Sequence, residues 1–300
     1  MNELQRYLVE EAVEDYEEGR LTRRDALKAI AGLTGAALAA QILDAHGQTK
    51  AKPGSKASPA SAPLVAYDDP AIVAGVAEFP GSGARIAGYL ARPKESGRFA
   101  IVLVCHENRG LTRHIEDVTR RVAKAGYVGL AVDLLSREGG TGKHDFDAIP
   151  GILGKAAPAR HVQDFQSGLA YARSQPVARG DRVGMTGFCF GGAVTWRVAA
   201  AVPDLRAAVP FYGVPVQESE VGGISAAVLA IYAGRDQRTN QNIPAIEAAM
   251  QKHGKTFRKI LVPNVDHAFH NDTGGVRYNA AAANAAWGEA LAWFGKYLQT

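Results

Sequence analysis

Cysteine is scarce in this 300-residue sequence, which contains only Cys105 and Cys189. No C-x-x-C pair and no Cys/His spacing of a zinc ligand set is present, so the sequence predicts neither a metal nor another cofactor. Hydrophobic residues make up 47% and charged residues 21% of the chain, the composition of an ordinary globular protein. A chain of this length can bury a large core without a disulfide framework.

Clusters of basic residues and long apolar runs are also missing. Lys and Arg do not run together with interleaved aromatic residues, which argues against nucleic-acid binding. The apolar stretch Ala29–Ala40 is too short and too rich in Gly and Ala to span a membrane. We therefore expect a small-molecule partner, no stable membrane insertion and no nucleic acid, while a homo-oligomer is compatible with the sequence.

The first 45 residues differ in charge from the rest of the chain. They contain five Lys/Arg and nine Asp/Glu, although the whole chain has a net charge of +4. Arg23 and Arg24 precede the apolar stretch and resemble a twin-arginine export signal, with small-residue cleavage sites at 37–39 and 45–47. The acidic, helix-like segment before the arginines is unlike the short positive start of a signal. The alternative is a helical hairpin that stays attached to a cytoplasmic protein.

Export is the favoured interpretation of the leader, which predicts a periplasmic or exported protein. Three segments are predicted: a helical leader at 1–45, a linker rich in Ala, Ser and Pro at 46–65, and a folded domain at 66–300.

Strands alternate with helices along the predicted domain, which indicates an α/β fold with a mostly parallel sheet. The first two strands are predicted to form an antiparallel pair, and the Gly-rich segment Ser136–Pro158 is predicted to be a loop over a site. The predicted strands are Ile72–Phe79, Arg85–Ala91, Phe99–Cys105, Tyr127–Leu135, Arg182–Cys189, Ala207–Tyr212, Ala226–Ala233 and Phe257–Val262. The predicted helices are Thr112–Ala125, Ala159–Ser174, Gly191–Ala201, Pro244–His253 and Tyr278–Leu298.

The segment Gly187-Phe188-Cys189-Phe190-Gly191-Gly192 lies between a strand and a helix. It has the context of a nucleophile elbow, whose usual form is G-x-S-x-G, with cysteine in place of serine. The glycines fit such a turn because side chains there would crowd the crossing of strand and helix. The alternative is a Gly-rich turn around a buried structural cysteine.

Three further reactive residues follow strand ends: Glu107, Asp236 and His267. Ligands of parallel sheets bind at the carboxyl ends of the strands, so these residues and Cys189 are expected at one edge. The chain order nucleophile, acid, histidine is that of an α/β-hydrolase triad. In that triad His267 would accept the thiol proton and Asp236 would orient the imidazole. Asp266 is a competing acid and His270 a competing base.

Motifs spread over residues 70–298 resemble the dienelactone hydrolase family of α/β-hydrolases. They are the elbow, His106–Gly110, Val132–Leu135, Tyr171–Pro176, Phe211–Val214, Gly234–Asp236 and Asp266–Phe269. The resemblance implies an α/β-hydrolase fold, a Cys189–His267–Asp236 triad, and a glutamate, Glu107, that shares or accepts the thiol proton. It also implies an oxyanion hole formed by the backbone N–H groups of Phe190 and Asn108.

One feature of the family is absent at its expected place. Well-known members have an arginine shortly after the catalytic histidine that binds the substrate carboxylate, whereas this sequence has His270 and Asn271 there. Arginines elsewhere are candidates for that function, and the sequence does not choose among Arg109, Arg137, Arg160 and Arg235.

A cysteine nucleophile restricts the substrates, because a thiolate leaves a tetrahedral intermediate more readily than a simple alkoxide or an amide does. The sequence therefore predicts a hydrolase of lactones or activated enol and aryl esters that forms an acyl-cysteine. A catalytically idle scaffold that binds ligands is the first alternative. The second is a zinc or redox protein built on Cys189, His267 and His270. Cys105 is predicted to be a buried strand residue that forms no disulfide.

Overall fold

A computed structural model describes residues 1–46 and 64–299 of the chain. Its centre is an eight-stranded sheet with the strand order β1-β2-β4-β3-β5-β6-β7-β8. The pairs β1/β2 and β2/β4 are antiparallel and all other pairs are parallel. The strands are β1 Ile72–Gly81, β2 Ala84–Pro93, β3 Phe99–Cys105, β4 Val128–Val132, β5 Ala178–Phe188, β6 Ala207–Phe211, β7 Ala227–Ala233 and β8 Phe257–Val262.

Helices connect the parallel strands, which confirms the predicted α/β-hydrolase architecture. The strands β3, β4, β6 and β7 are almost continuously buried, as expected for a sheet that is covered on both faces. The helices are α1 Glu3–Glu17, α2 Arg23–Thr34, α3 Ala36–Ala45, α4 Arg113–Lys124, α5 Ile149–Lys155, α6 Pro158–Arg173, α7 Phe190–Ala201, α8 Glu218–Val221, α9 Gln237–Asn240, α10 Ile243–Lys252 and α11 Ala280–Leu298. None of the helices in the described ranges is long and apolar enough to cross a bilayer.

The segment Ser136–Pro158 is more ordered than the sequence predicted. It contains two short 3-10 turns and the helix α5, in which Pro150 lies in the first turn. Gly151 and Gly154 were expected to break structure. Instead they let α5 approach its neighbours closely, because a Cβ on Gly154 would lie 2.2 Å from a side-chain carbon of Leu33. The prediction of a loop was therefore wrong for Ile149–Lys155, which form α5.

The N-terminal helices α1, α2 and α3 pack together and onto the domain. Val9, Val13 and Tyr16 of α1 join Ile30 and Leu43 in a small core of their own. On its other side, α1 contributes Leu4, Tyr7 and Leu8 to the main core of the domain, where each is at most 3% exposed. The predicted linker at 46–65, apart from its ends, lies outside the described residues.

The crossing between β5 and α7 leaves no room for side chains at its glycines. A Cβ on Gly187 would lie 2.2 Å from the carbonyl oxygen of Gly191, and a Cβ on Gly191 would lie 2.4 Å from that of His106. These contacts confirm the steric reason expected for glycine at both positions. They also hold the residue between them, Cys189, at a fixed place above the sheet.

Substitution of Gly191 by alanine should destabilise the protein, because the new methyl group meets rigid backbone. We expect Gly191→Ala to lower the free energy of unfolding by at least about 2 kcal/mol. Gly288→Ala is the matched control, since Gly288 also lies in a helix and nothing is found within 4 Å of its Cβ position. That control should be neutral or stabilising by up to about 1 kcal/mol. Urea unfolding measures both, and equal effects would contradict the steric account.

Candidate active site

Cys189 lies at the tip of the turn between β5 and α7, with φ at 58° and ψ at −121°. This backbone conformation is rare for a residue with a side chain and costs roughly 1–3 kcal/mol. It points the thiol away from the sheet, in the manner of a nucleophile elbow. The residue is nevertheless only 2% exposed, because other groups cover the sulfur.

Asp236 and His267 come together at the same edge of the sheet, as their positions after β7 and β8 predict. Nδ1 of His267 lies 2.5 Å from Oδ2 of Asp236. The second oxygen, Oδ1, accepts a hydrogen bond of 3.0 Å from the backbone N–H of Thr239 at the start of α9. Asp236 thus caps a helix and orients the imidazole at once. This pairing leaves Nε2 of His267 as the nitrogen that faces Cys189.

The charge of Asp236 is stabilised although the residue is buried. Burial alone opposes ionisation, but the imidazole of His267, Arg238 and the hydrogen bond from Thr239 together hold the pKa of the Asp236 carboxyl below its usual range. The carboxylate can therefore stabilise a positive charge on His267, which is the role that a triad acid performs.

Glu107 and Asn108 follow β3 and line the same cavity as Cys189. Asn271 donates a short hydrogen bond to Glu107, and burial raises the pKa of the Glu107 carboxyl against the opposing charges of His114 and Arg277. His106 holds this loop in place: its Nδ1 lies 2.7 Å from the carbonyl oxygen of Glu107, and its Nε2 accepts a hydrogen bond from the backbone of Leu134. The backbone N–H of Phe190 is the first amide of α7, directly after the nucleophile position.

Two residues that sequence reasoning missed, Tyr7 and Glu11 of α1, lie against the thiol. Sγ of Cys189 lies 3.3 Å from Oε1 and 3.5 Å from Oε2 of Glu11. The hydroxyl of Tyr7 lies 3.4 Å from Sγ and 3.4 Å from Nε2 of His267. The spacing of four residues places Tyr7 and Glu11 on one face of the helix. This spacing was the signal in the sequence, but the segment was interpreted as a leader.

Burial raises the pKa of the Cys189 thiol well above its usual value, and the negative charges of Glu11 and Glu107 raise it further. Hydrogen bonds from the Tyr7 hydroxyl and the Phe190 N–H act in the opposite direction. The resting cysteine is therefore a neutral thiol, which needs a base before it can attack a substrate.

A cavity of about 320 Å³ opens onto Cys189. Of the four arginines that the sequence offered as carboxylate ligands, only Arg109 lines this cavity. Arg137 pairs with Asp164, and Arg160 pairs with Glu138. Arg235 is mostly exposed. Arg277 also lines the cavity. It lies in a short turn ten residues after His267, farther along the chain than the family pattern suggests.

The competing residues occupy other places. Asp266 lies 3.8 Å from Arg235 near the surface, and His270 is buried against Phe188 and Trp287, where burial keeps its pKa well below the usual value. Cys105 and Cys189 are both free thiols. These positions favour Asp236 and His267 over their rivals as the partners of the nucleophile.

One group in the described part of the chain could hold a metal ion. The ligand atoms of Glu11, Cys189 and His267 all lie within 4.8 Å of one another, and zinc accepts all three residue types. His270, which the zinc hypothesis included, is not a member of this group. A zinc ion at this place would occupy the sulfur and compete with attack on a substrate.

Comparisons with known proteins identify the family of the chain. The model of the dienelactone hydrolase family matches residues 86–298. The chain belongs to the dienelactone hydrolase family. A family protein of Escherichia coli K12, named "Putative carboxymethylenebutenolidase", is 34% identical over 257 residues, which cover 80% of this chain and 93% of that protein.

Two further relatives place the chain within this family. A protein of Bradyrhizobium named "Probable 2-oxo-3-(5-oxofuran-2-ylidene)propanoate lactonase" is 29% identical, over 68% of this chain and 86% of that protein. The crystal structure titled as a "Putative Dienelactone Hydrolase" from Klebsiella pneumoniae superimposes with a TM-score of 0.71 and 31% identity, over 76% of this chain and 100% of that one.

The lowered pKa of Asp236 predicts a pH-dependent contribution to stability. Because the folded state holds this carboxyl below its unfolded pKa of about 3.9, its contribution is present above that pH and is lost as the pH falls through the folded pKa. The free energy of unfolding of the wild type, minus that of Asp236→Asn, should therefore decrease between pH 5.5 and pH 3. Urea unfolding at several pH values measures this difference, and a difference independent of pH would contradict the prediction.

Proposed function

We propose that the protein hydrolyses lactones or activated esters through a Cys189–His267–Asp236 triad and an acyl-cysteine intermediate. Family membership makes the chain a hydrolase of the dienelactone hydrolase type. The observation that carries the finer proposal is the strained elbow that presents Cys189 beside an imidazole whose other nitrogen is bound to Asp236.

The first half of the reaction transfers the acyl group to sulfur. The thiol proton moves to Nε2 of His267, and the thiolate attacks the substrate carbonyl carbon. The negative charge then develops on the carbonyl oxygen, for which the backbone N–H groups of Phe190 and Asn108 are the proposed donors. The intermediate collapses when the C–O bond to the leaving group breaks. The imidazolium passes its proton to the departing oxygen, or to solvent where that oxygen leaves as a stabilised anion, so that His267 is neutral again.

The second half releases the acid. Water donates a proton to His267 and attacks the thioester carbonyl, and cleavage of the C–S bond returns the proton to sulfur as the carboxylic acid leaves. In a lactone, the leaving oxygen and the acyl group belong to one molecule, so the product is an open-chain hydroxy or oxo acid. A thiolate leaves easily, which favours substrates whose alcohol part is a stabilised enolate or phenolate.

Two arginines of the cavity are the proposed ligands of a substrate carboxylate, although the acidic residues Glu11, Asp15 and Glu107 line it as well. Arg109 and Arg277 both line the cavity beside Cys189, and guanidinium groups bind carboxylates well. The Bradyrhizobium relative is named for a lactone with a propanoate group, which supports the same substrate class. Cavity size also limits the substrate to a small molecule, since about 320 Å³ is at the lower end of ligand sites.

Substitution of the nucleophile or the base should abolish turnover. Cys189→Ala and His267→Ala should each lower kcat/KM for p-nitrophenyl acetate by more than about 10⁴-fold, because members of a triad act as one unit. Cys105→Ala is the matched control and should keep its activity, since Cys105 is buried in β3 and does not line the cavity at Cys189. Measurements after dialysis against EDTA should match those before it.

Other results would change the assignment. Full turnover in pure Cys189→Ala would exclude an acyl-cysteine. Loss of turnover after EDTA, with recovery on addition of zinc, would favour a metal enzyme. Turnover that stays at background in the wild type for a whole panel of lactones and aryl esters would favour the binding scaffold.

Arg277 should matter more for substrates that carry a carboxylate than for neutral ones. We expect Arg277→Gln to raise KM about 10- to 100-fold for an enol lactone that carries a carboxylate, the cost of one lost charged hydrogen bond. The KM for the methyl ester of the same lactone should change little. Arg235→Gln is the control, because Arg235 is exposed and does not line the cavity. An equal rise in KM for both substrates would assign Arg277 a structural role instead.

A further inference from the structure

The helix α1 lies at the active site, in the segment that the sequence suggested to be a removable leader. Tyr7 and Glu11 are 3% and 6% exposed, and their polar ends contact the thiol and the imidazole of the proposed triad. A signal peptide that is cut off has no need for side chains that fit a catalytic cysteine. The contacts raise the question of what the helix does there.

Arginines of the domain hold α1 in this position. Arg197 lies 3.1 Å from Glu3, Arg238 lies 3.2 Å from Glu14, and Arg277 lies 3.5 Å from Asp15. The guanidinium of Arg238 also covers the ring of Tyr7, 4.4 Å from its centre. Each of these partly buried pairs is worth more than an exposed one. Together they use the acidic excess of the leader to attach it to a basic domain.

Apolar packing adds a second attachment of α1 to the domain. Leu4 and Leu8 are 1% exposed and belong to the main core, and a Cβ on Gly154 of α5 would lie 3.0 Å from a side-chain carbon of Leu8. Removal of α1 would therefore expose the surface that these two leucines cover. The domain would then present an unpartnered apolar surface beside its active site.

The helix forms a wall of the active-site cavity and leaves space for a ligand. Glu11 and Asp15 line the cavity of about 320 Å³ together with Cys189, Glu107 and Arg277. Empty space beside Cys189 therefore remains while Glu11 and Tyr7 of α1 cover the sulfur. This distinguishes α1 from a plug, which would fill the cavity and would have to leave before catalysis.

We propose that α1 is retained in the active enzyme as a wall of its active site, where Glu11 and Tyr7 are positioning residues for Cys189. Glu11 accepts a hydrogen bond from the thiol and keeps it neutral at rest, and the Tyr7 hydroxyl donates to sulfur once the proton has left. The proposal rests on the proposed function, in which Cys189 is the nucleophile. It gives the two side chains of one helix opposite effects on the same sulfur.

Electrostatics decide the direction of each effect. A carboxylate 3.3 Å from sulfur repels a thiolate, so it favours the thiol, whereas a hydroxyl that donates to sulfur favours the thiolate. Other groups around the thiol stay constant when α1 is altered by a single substitution. They are Glu107 after β3, Phe190 at the start of α7, Tyr212 after β6, and His267 and Arg277 after β8.

The test is the pH dependence of alkylation of Cys189 by iodoacetamide in the full chain, with Cys189→Ala as the background. Glu11→Gln should lower the midpoint of the alkylation profile by about one pH unit or more, because it removes the repelling charge. Tyr7→Phe should raise the midpoint, because it removes the donor. Glu10→Gln is the matched control, since Glu10 is the exposed neighbour of Glu11 on the same helix and should keep the wild-type midpoint.

Opposite shifts support the proposal, because mere loosening of the helix would move both midpoints in the same direction. An unchanged or raised midpoint in Glu11→Gln, or shifts of the same sign in both variants, would overturn it. Glu11→Asp is a second variant, to be used if Glu11→Gln folds poorly. It keeps the charge but moves it away from the sulfur by one methylene, so its midpoint should fall by less than one pH unit and still lie below that of the wild type.

Two parallel measurements separate this proposal from the proposed function. Ester turnover of Cys189→Ala tests the nucleophile itself. If Cys189→Ala loses turnover but the alkylation midpoints of Glu11→Gln and Tyr7→Phe do not shift in opposite directions, only the role of α1 is refuted. The intact mass of active enzyme purified from the native organism tests retention and should include residues 1–45. An active mature form that begins after Ala45 would contradict the proposal.

Discussion

The site depends on the backbone of Cys189, which must hold a positive φ at the crossing of β5 and α7. Glycine would adopt this conformation without cost, but glycine has no nucleophile. The strain is maintained because Gly187 and Gly191 allow strand and helix to approach until backbone meets backbone. A strained nucleophile therefore requires glycine on both sides of it. The same turn places the first N–H of α7 next to the sulfur, so one local geometry supplies both the attacking atom and a donor for the charge that attack creates.

Charge in a buried place is the second constraint. Asp236, Glu107 and Glu11 all lie close to one cysteine, and each would be costly alone. The charge of Asp236 is compensated by His267 and by the N-terminus of α9. Glu107 accepts a hydrogen bond from the amide of Asn271. Glu11 lies near guanidinium groups of the domain. The balance favours a neutral thiol, so attack depends on a substrate that is already bound. Such a thiol is also protected from oxidation, which acts on thiolates.

Much of the fold and half of the candidate site could be predicted from the sequence, because both depend on local signals. Buried strands read as continuous apolar runs, and reactive residues after strand ends converge by topology, which located Glu107, Asp236 and His267. Pairing between distant segments has no such signal. The contacts of α1 with the thiol join residues about 180 positions apart, and no motif in either segment indicates that the two segments meet. Glycines misled the prediction in the segment Ser136–Pro158, since the same residue type serves loops and close helix contacts.

The pair Arg23-Arg24 can be understood in this light. Arg23 lies 2.5 Å from Asp44 of α3, and the hydroxyl of Thr22 accepts a hydrogen bond from the backbone N–H of Asp25 at the start of α2. A motif that resembles an export signal thus also stabilises a helical hairpin with its own small core. An export signal and a retained hairpin differ in whether residues 1–45 stay attached to the domain. What distinguishes them physically is the active site, which keeps Glu11 and Tyr7 only if cleavage does not occur.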